Sequence, residues 1–110
     1  MKTVTFDRSK LLSVSKDGLE YVDDQGCRCA IDFHTCRENF RKQMHPPERL
    51  WARDPTYVAV RDSSAKPPHI TLSTNPPTRF VFPVPDPNHE FEEFQFRLFR
   101  EAGVRTFDMT

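Results

Sequence analysis

The chain has 110 residues, 36% hydrophobic and 12% aromatic with ten phenylalanines, which is enough for one buried core but not two, and it sets the chain apart from disordered sequences. Sixteen basic residues balance sixteen acidic ones, so no cationic surplus exists to displace counterions from a phosphate backbone, and no nucleic-acid partner is expected. No apolar run is long enough for a transmembrane segment, the start "MKTVTFDRSK" lacks a signal-peptide core, and three cysteines do not suit a secreted disulfide framework. The expectation is a single domain over residues 1–110, cytoplasmic, with free thiols.

In chain order, short β-prone segments come first. "TVTF" (3–6) reads as an edge strand. "LLSVS" (11–15) leads through "KDG" into "LEYV" (19–22), with Gly18 expected to take a positive φ in the turn, and "DDQG" turns the chain again before "CRCAIDF" (27–33). Thr35 and Glu38 have the spacing of a capping box, so a helix is predicted over "CRENFRKQM", with Cys36, Phe40 and Met44 along one stripe. Pro46 and Pro47 end it, and "ERLWARDP" (48–55) reads as a loop carrying Trp51.

Three further strands are predicted at "TYVAVR" (56–61), "HITLS" (69–73) and "TRFVF" (78–82), separated by proline-bearing connections. A long C-terminal helix follows, capped by Asp86 with Pro87 at its first position. Phe91, Phe94, Leu98 and Ala102 share its inner face, Gly103 ends it in a left-handed conformation, and Val104 is placed to cover Phe99. "VRTFDM" (104–109) closes the chain as a last strand.

These elements predict an α+β fold. A curved, mostly antiparallel sheet of six to eight strands carries a short mid-chain helix and a long amphipathic C-terminal helix packed on it. Seven strand candidates ahead of an amphipathic helix resemble the layout of pleckstrin-homology-like barrels in element order, although the mid-chain helix and the last strand depart from that layout.

The densest group of reactive side chains is "CRCAIDFHTC", residues 27–36. On an extended segment Cys27, Cys29, Ile31 and Phe33 share one face, and a free cysteine behaves there as a small, buried hydrophobe. Core packing is therefore the first reading of the thiols. The alternative is a metal site from Cys27, Cys29, His34 and Cys36, or an enzyme using Asp32, His34 and Cys36, with Cys36 in the first turn of a helix. C-x-C-x4-H-x-C is not a usual zinc spacing. No phosphate loop, no dinucleotide fingerprint and no nucleophile elbow is present, and no cofactor is expected.

Two surface features remain. Arg37 and Arg41 lie four apart on one helix face, in a locally basic stretch that runs on to Trp51. Phe96 and Phe99 lie beside the main stripe of the last helix; burial is expected for Phe99, and Phe96 is the candidate contact residue. The function expected is a small non-catalytic binding or adaptor protein acting through Arg37, Arg41, Trp51 and Phe96, with another protein or a second copy of itself as partner.

Overall fold

The computed structural model of the chain describes residues 1–43 and 57–108. The strands are β1 (Lys2–Thr5), β2 (Leu11–Ser15), β3 (Gly18–Val22), β4 (Arg28–Asp32), β5 (Tyr57–Asp62), β6 (His69–Leu72), β7 (Thr78–Val81) and β8 (Arg105–Asp108). Helix α1 (Phe33–Gln43) follows β4, and helix α2 (Glu90–Ala102) precedes β8. The fold class is α+β, with the long C-terminal helix packed on the sheet strands.

The eight strands divide between two sheets, one of five in the order β1-β7-β6-β5-β8 and one of three in the order β2-β3-β4. Neither closes into a barrel, so the pleckstrin-homology-like alternative does not hold. The reason lies in β1. It does not extend the β2-β3-β4 meander but crosses over through a 3₁₀ turn at Arg8–Lys10 and pairs in parallel with β7. At the other end β8 joins β5, also in parallel. The remaining pairings are antiparallel.

Side chains alternate across a strand, so register decides what faces inward. Val4, Phe80 and Ile70 lie side by side across β1, β7 and β6, and Leu72 pairs with Ala59 of β5. All five are buried, as are Leu19, Tyr21 and Ile31 from the smaller sheet. The Tyr21 ring meets Phe80 edge-on, centroids 5.0 Å apart, and so joins the two sheets. Phe6, Phe82, Phe91 and Phe94 continue this aromatic core under α2, with centroids 4.7–5.8 Å apart. Rings at such distances and tilts gain attraction beyond their large apolar burial.

The helix starts differ from expectation by one short step each. In α1 it is Asp32 that caps: its carboxylate accepts from the His34 N–H at 2.9 Å and the Thr35 hydroxyl at 3.1 Å. The Thr35–Glu38 capping box is thus corrected, because the last strand residue supplies the acceptor three positions sooner and the helix opens at Phe33. Phe33, Cys36 and Phe40 are its buried stripe; Met44 and the loop 48–55 lie outside the described residues. In α2 the Asp86 carboxylate does hold the N-terminus, but across an intervening turn, accepting from the Glu90 and Phe91 N–H groups. Gly103 ends α2 at φ 68°, ψ 14°, as its position predicts.

Candidate functional site

The cysteine segment splits three ways. β4 starts at Arg28, one residue later than its alternation suggested, because the Asp23 carboxylate takes the Cys27 N–H at 2.8 Å and prolongs the preceding turn. Cys27 is therefore exposed instead of facing the core. Cys29 is half-buried and packs against the core, and Cys36 is fully buried at 0% exposure. The hydrocarbon-like role holds for Cys36, holds in part for Cys29 and fails for Cys27.

The same geometry separates the alternative metal set. Cys36 points into the core while His34 and Cys27 face solvent, and among the described residues no three His, Cys, Asp or Glu side chains are grouped to hold a metal ion. The proposed partners of an enzyme site are also committed elsewhere. The Asp32 carboxylate caps α1, and burial, with Asp32 second, pushes the Cys36 thiol up to about 12. Such a thiol stays protonated and is a poor nucleophile near neutral pH.

A polar cluster that sequence spacing did not indicate forms around Cys29. The Lys2 ammonium sits 3.2 Å from the Cys29 sulfur, 3.7 Å from the Asp23 carboxylate and 5.4 Å from the centroid of the Tyr21 ring. Hydrogen bonding to Cys29 and then to Tyr21 raises the Lys2 pKa above its ordinary value. Asp23 is held below the usual carboxylate range, first by the Cys27 N–H. Burial raises the Tyr21 phenol, with Lys2 acting in the opposite sense. Hairpin register could have placed Tyr21 opposite Cys29, as it does; the arrival of Lys2 from β1 depends on packing between the sheets and leaves no local signal.

The candidate binding residues fall on separate elements. Arg37 is half-buried on α1 and Arg41 lies one turn further along the same helix, its side chain outside the described part. Trp51 lies outside the described residues. Phe96 is on α2, 58% exposed. Phe99 is 52% exposed, contrary to the burial expected for it. Val104 is buried and its N–H reaches back to the Leu98 carbonyl; it lines one groove with Phe99 but leaves much of that ring in solvent.

Phe96 and Phe99 thus form a pair of exposed rings three residues apart on one side of α2. Each carries an arginine: the Arg100 guanidinium lies 6.0 Å from the Phe96 centroid, and that of Arg105 lies 5.9 Å from Phe99. Beside them, Gln95, Phe99, Val104, Arg105 and Thr106 line an open groove of about 250 Å³ between α2 and β8. A second depression of about 410 Å³ lies on the smaller sheet, along Ser13, Ser15, Glu20, Ala30 and Asp32. A small pocket at the start of α2, lined by Phe6, Arg8, Leu11, Glu93, Phe94 and Arg97, has only about 10 Å³, room for one water at most. No helix of the described residues is long and apolar enough to cross a membrane. Compared with protein-family models, curated proteins and solved structures, the chain matches none.

Proposed function

We propose that the chain is a small non-catalytic binding or adaptor protein, working in the cytoplasm, whose contact surface is centred on Phe96 and Phe99 of α2. The observation that carries this reading is the side-by-side exposure of two large aromatic rings, each topped by an arginine, next to an open groove. Clustered aromatics and arginines are the side chains that dominate protein–protein contacts once water is excluded from them. Three free thiols support a reducing compartment. Phe96 was the residue expected from sequence; Phe99, Arg100 and Arg105 join it. Arg37, Arg41 and Trp51 are kept as a second, basic contact region.

Affinity capture decides between this reading and its failure. Wild-type protein and a Phe96→Asp/Phe99→Asp variant, matched for circular dichroism and melting temperature, are compared by quantitative mass spectrometry of what each retains. A binding protein that uses this surface retains a partner which the variant loses. Identical capture by the two proteins overturns the surface assignment.

A second reading, chemistry at a thiol, is favoured by one observation, the 3.2 Å approach of the Lys2 ammonium to Cys29. The contact brings a hydrogen-bond donor onto a half-buried sulfur that packs against the core. The reading predicts that Cys29 reacts with iodoacetamide faster than the exposed Cys27; the reverse order removes it.

A further inference from the structure

Resting on the reading of Phe96 and Phe99 as a contact surface, we propose that it binds an acidic peptide segment of another protein. One large apolar side chain of that segment enters the groove, and its carboxylates meet Arg100 and Arg105. Three features of the structure support this partner.

The first is which charges already have a counterpart. Of the carboxylates on α2, Glu92 takes the Arg61 guanidinium at 2.6 Å, Glu93 pairs with Arg8, and Glu90 accepts from the Arg8 N–H at 3.2 Å. Glu101 stands about 200° round the helix from Phe99, on the opposite flank. Asp108 alternates to the other face of β8 from Arg105. Arg100 and Arg105 are both exposed, and among the described residues no carboxylate pairs with either. The two rings therefore sit beside two uncompensated positive charges, in a chain whose basic and acidic residues balance overall.

The second is how the guanidinium groups are held. Arg100 lies 6.0 Å from the Phe96 centroid and Arg105 lies 5.9 Å from that of Phe99. A guanidinium over a ring has one face covered, while its N–H donors, which lie in its plane, stay open at the edge. That fork of donors matches the two oxygens of a carboxylate. At these distances the cation–π attraction is at its outer limit, so the rings act mainly by position. A side chain ordered beforehand gives up less freedom when it binds.

The third is the groove between α2 and β8. Its space of about 250 Å³ is walled by the Phe99 ring and Val104 on the apolar side and by Gln95, Arg105 and Thr106 on the polar side. The Gln95 amide oxygen is taken by Arg61 at 2.5 Å, which leaves its NH2 group as a donor. With the arginine and the threonine hydroxyl, the polar side offers mostly donors, and a peptide supplies the acceptors. A flat bilayer of anionic lipid would answer the arginines and leave the groove unfilled. A nucleic-acid backbone calls for more cations than two.

Selection of a phage-displayed library of random peptides against the purified full chain is the test, followed by fluorescence anisotropy with the enriched peptides made synthetically. The expected result is enrichment of sequences that set several Asp or Glu residues around one large apolar residue. Their binding should weaken as sodium chloride rises from about 0.05 M to about 0.5 M. Arg100→Gln/Arg105→Gln, matched to wild type for circular dichroism and melting temperature, is expected to raise the dissociation constant about tenfold or more, and Phe99→Ala to do the same. Enrichment of basic or uncharged sequences, no enrichment at all, or acidic peptides whose affinity ignores both arginines overturns the inference. Arginine-dependent binding to phosphatidylserine vesicles with no acidic peptide selected also overturns it, and assigns the surface to a membrane. Failure here is separable from failure of the contact surface. A protein retained by wild type and by Arg100→Gln/Arg105→Gln, but lost with Phe96→Asp/Phe99→Asp, keeps the surface and discards the acidic partner.

Discussion

The Asp86 carboxylate spans the turn before α2 and accepts from the Glu90 and Phe91 N–H groups at 2.9 and 3.1 Å. Position 89, next to the helix, is His89 in a left-handed conformation with no side-chain cap of its own. Asp86 therefore satisfies two backbone donors that would otherwise be left open at the helix start, and its charge opposes the positive end of the helix dipole. Asp86→Ala is expected to lower the unfolding free energy by about 1 kcal/mol, within the range known for lost caps. Asp86→Asn, which keeps an acceptor oxygen, is expected to lose less. Urea denaturation of the two variants checks this; equal losses would leave the hydrogen bonds without a stabilising part.

Cys36 sets a pH dependence of stability. Its thiol moves from an ordinary 9.0 up to about 12 in the folded protein, chiefly because it is buried. Between those values the unfolded chain has released this proton and the folded chain still holds it, so folding loses ground as pH rises. The contribution is whole below about pH 9 and disappears progressively toward pH 12. One such group tilts stability by at most about 1.4 kcal/mol per pH unit. Above pH 9 wild type should therefore lose stability more steeply than Cys36→Ala, measured as urea midpoints against pH; parallel curves would refute it.

The order of thiol labelling follows from the same burial. Cys27 is exposed, Cys29 is half-buried beside Lys2, and Cys36 has no exposure. On the core-packing account, a disulfide reagent should modify Cys27 promptly, Cys29 more slowly and Cys36 only as the protein unfolds. Peptide mapping over time reads the order directly. Prompt modification of Cys36 in native protein would show that α1 opens locally.

Elements whose cause is local were legible in the residues. The stripe Phe91, Phe94, Leu98, Ala102 and the terminal Gly103 define α2 by spacing and conformational need alone. The turn at Gly26 and the strands on either side of it are equally local. What spacing does not carry is the meeting of distant segments. Nothing in "TVTF" says that it will leave its neighbours and pair with "TRFV", yet that choice separates two sheets from one and brings Lys2 to Cys29. Cys27 departs from its expected place for a smaller reason. Alternation counted from Cys27 takes the strand to have begun, whereas Asp23 keeps it in the turn. Val104 does lie beside Phe99, lining one groove with it, but it is too small to cover the ring, which stays 52% exposed. Phe96, whose exposure spacing alone left open, lies on an exposed helix face, and the Arg105 beside Phe99 comes from the following strand.

Gly18 is required for a reason other than the one its turn position suggests. It is the first residue of β3, and positive φ among the glycines is confined to Gly26 and Gly103. A Cβ at residue 18 would stand 2.1 Å from the Ile31 carbonyl oxygen. That oxygen belongs to the backbone of β4, which is paired with β3 along its length, so relief requires shifting the strand. Gly18→Ala is expected to cost about 1–3 kcal/mol, as overpacking does, although alanine is normally the better residue in extended or helical backbone. Gly26→Ala serves as the comparison, since no atom lies within 4 Å of its added Cβ and only the φ of 82° opposes it. Thermal denaturation should rank Gly18→Ala as the more damaging of the two by contact, and melting temperatures equal to wild type would mean that the strands are not this close.

Arg61 shows how a charged side chain can hold a helix to a sheet without its charge being the main cause. Its guanidinium donates to Gln95 Oε1 at 2.5 Å and to Glu92 Oε1 at 2.6 Å, and it lies 4.9 Å from the centroid of the Phe91 ring. The Arg61 side chain is only 19% exposed, whereas that of Glu92 is 59% exposed. An ion pair with one partner in water is worth little, and the buried Arg61 Nε finds no hydrogen-bond partner among the described residues, which costs stability. Most of its value then rests in the apolar stem packed against α2. Arg61→Met, which keeps a stem of similar length, is expected to stay within about 1 kcal/mol of wild type, since swaps that preserve volume are tolerated. Arg61→Ala, which removes the stem, is expected to lose about 2 kcal/mol, in the range for an emptied buried site. Guanidinium-chloride unfolding of both variants separates the two causes. Equal losses would assign the contribution to the charge, and a loss that shrinks in high salt would do the same.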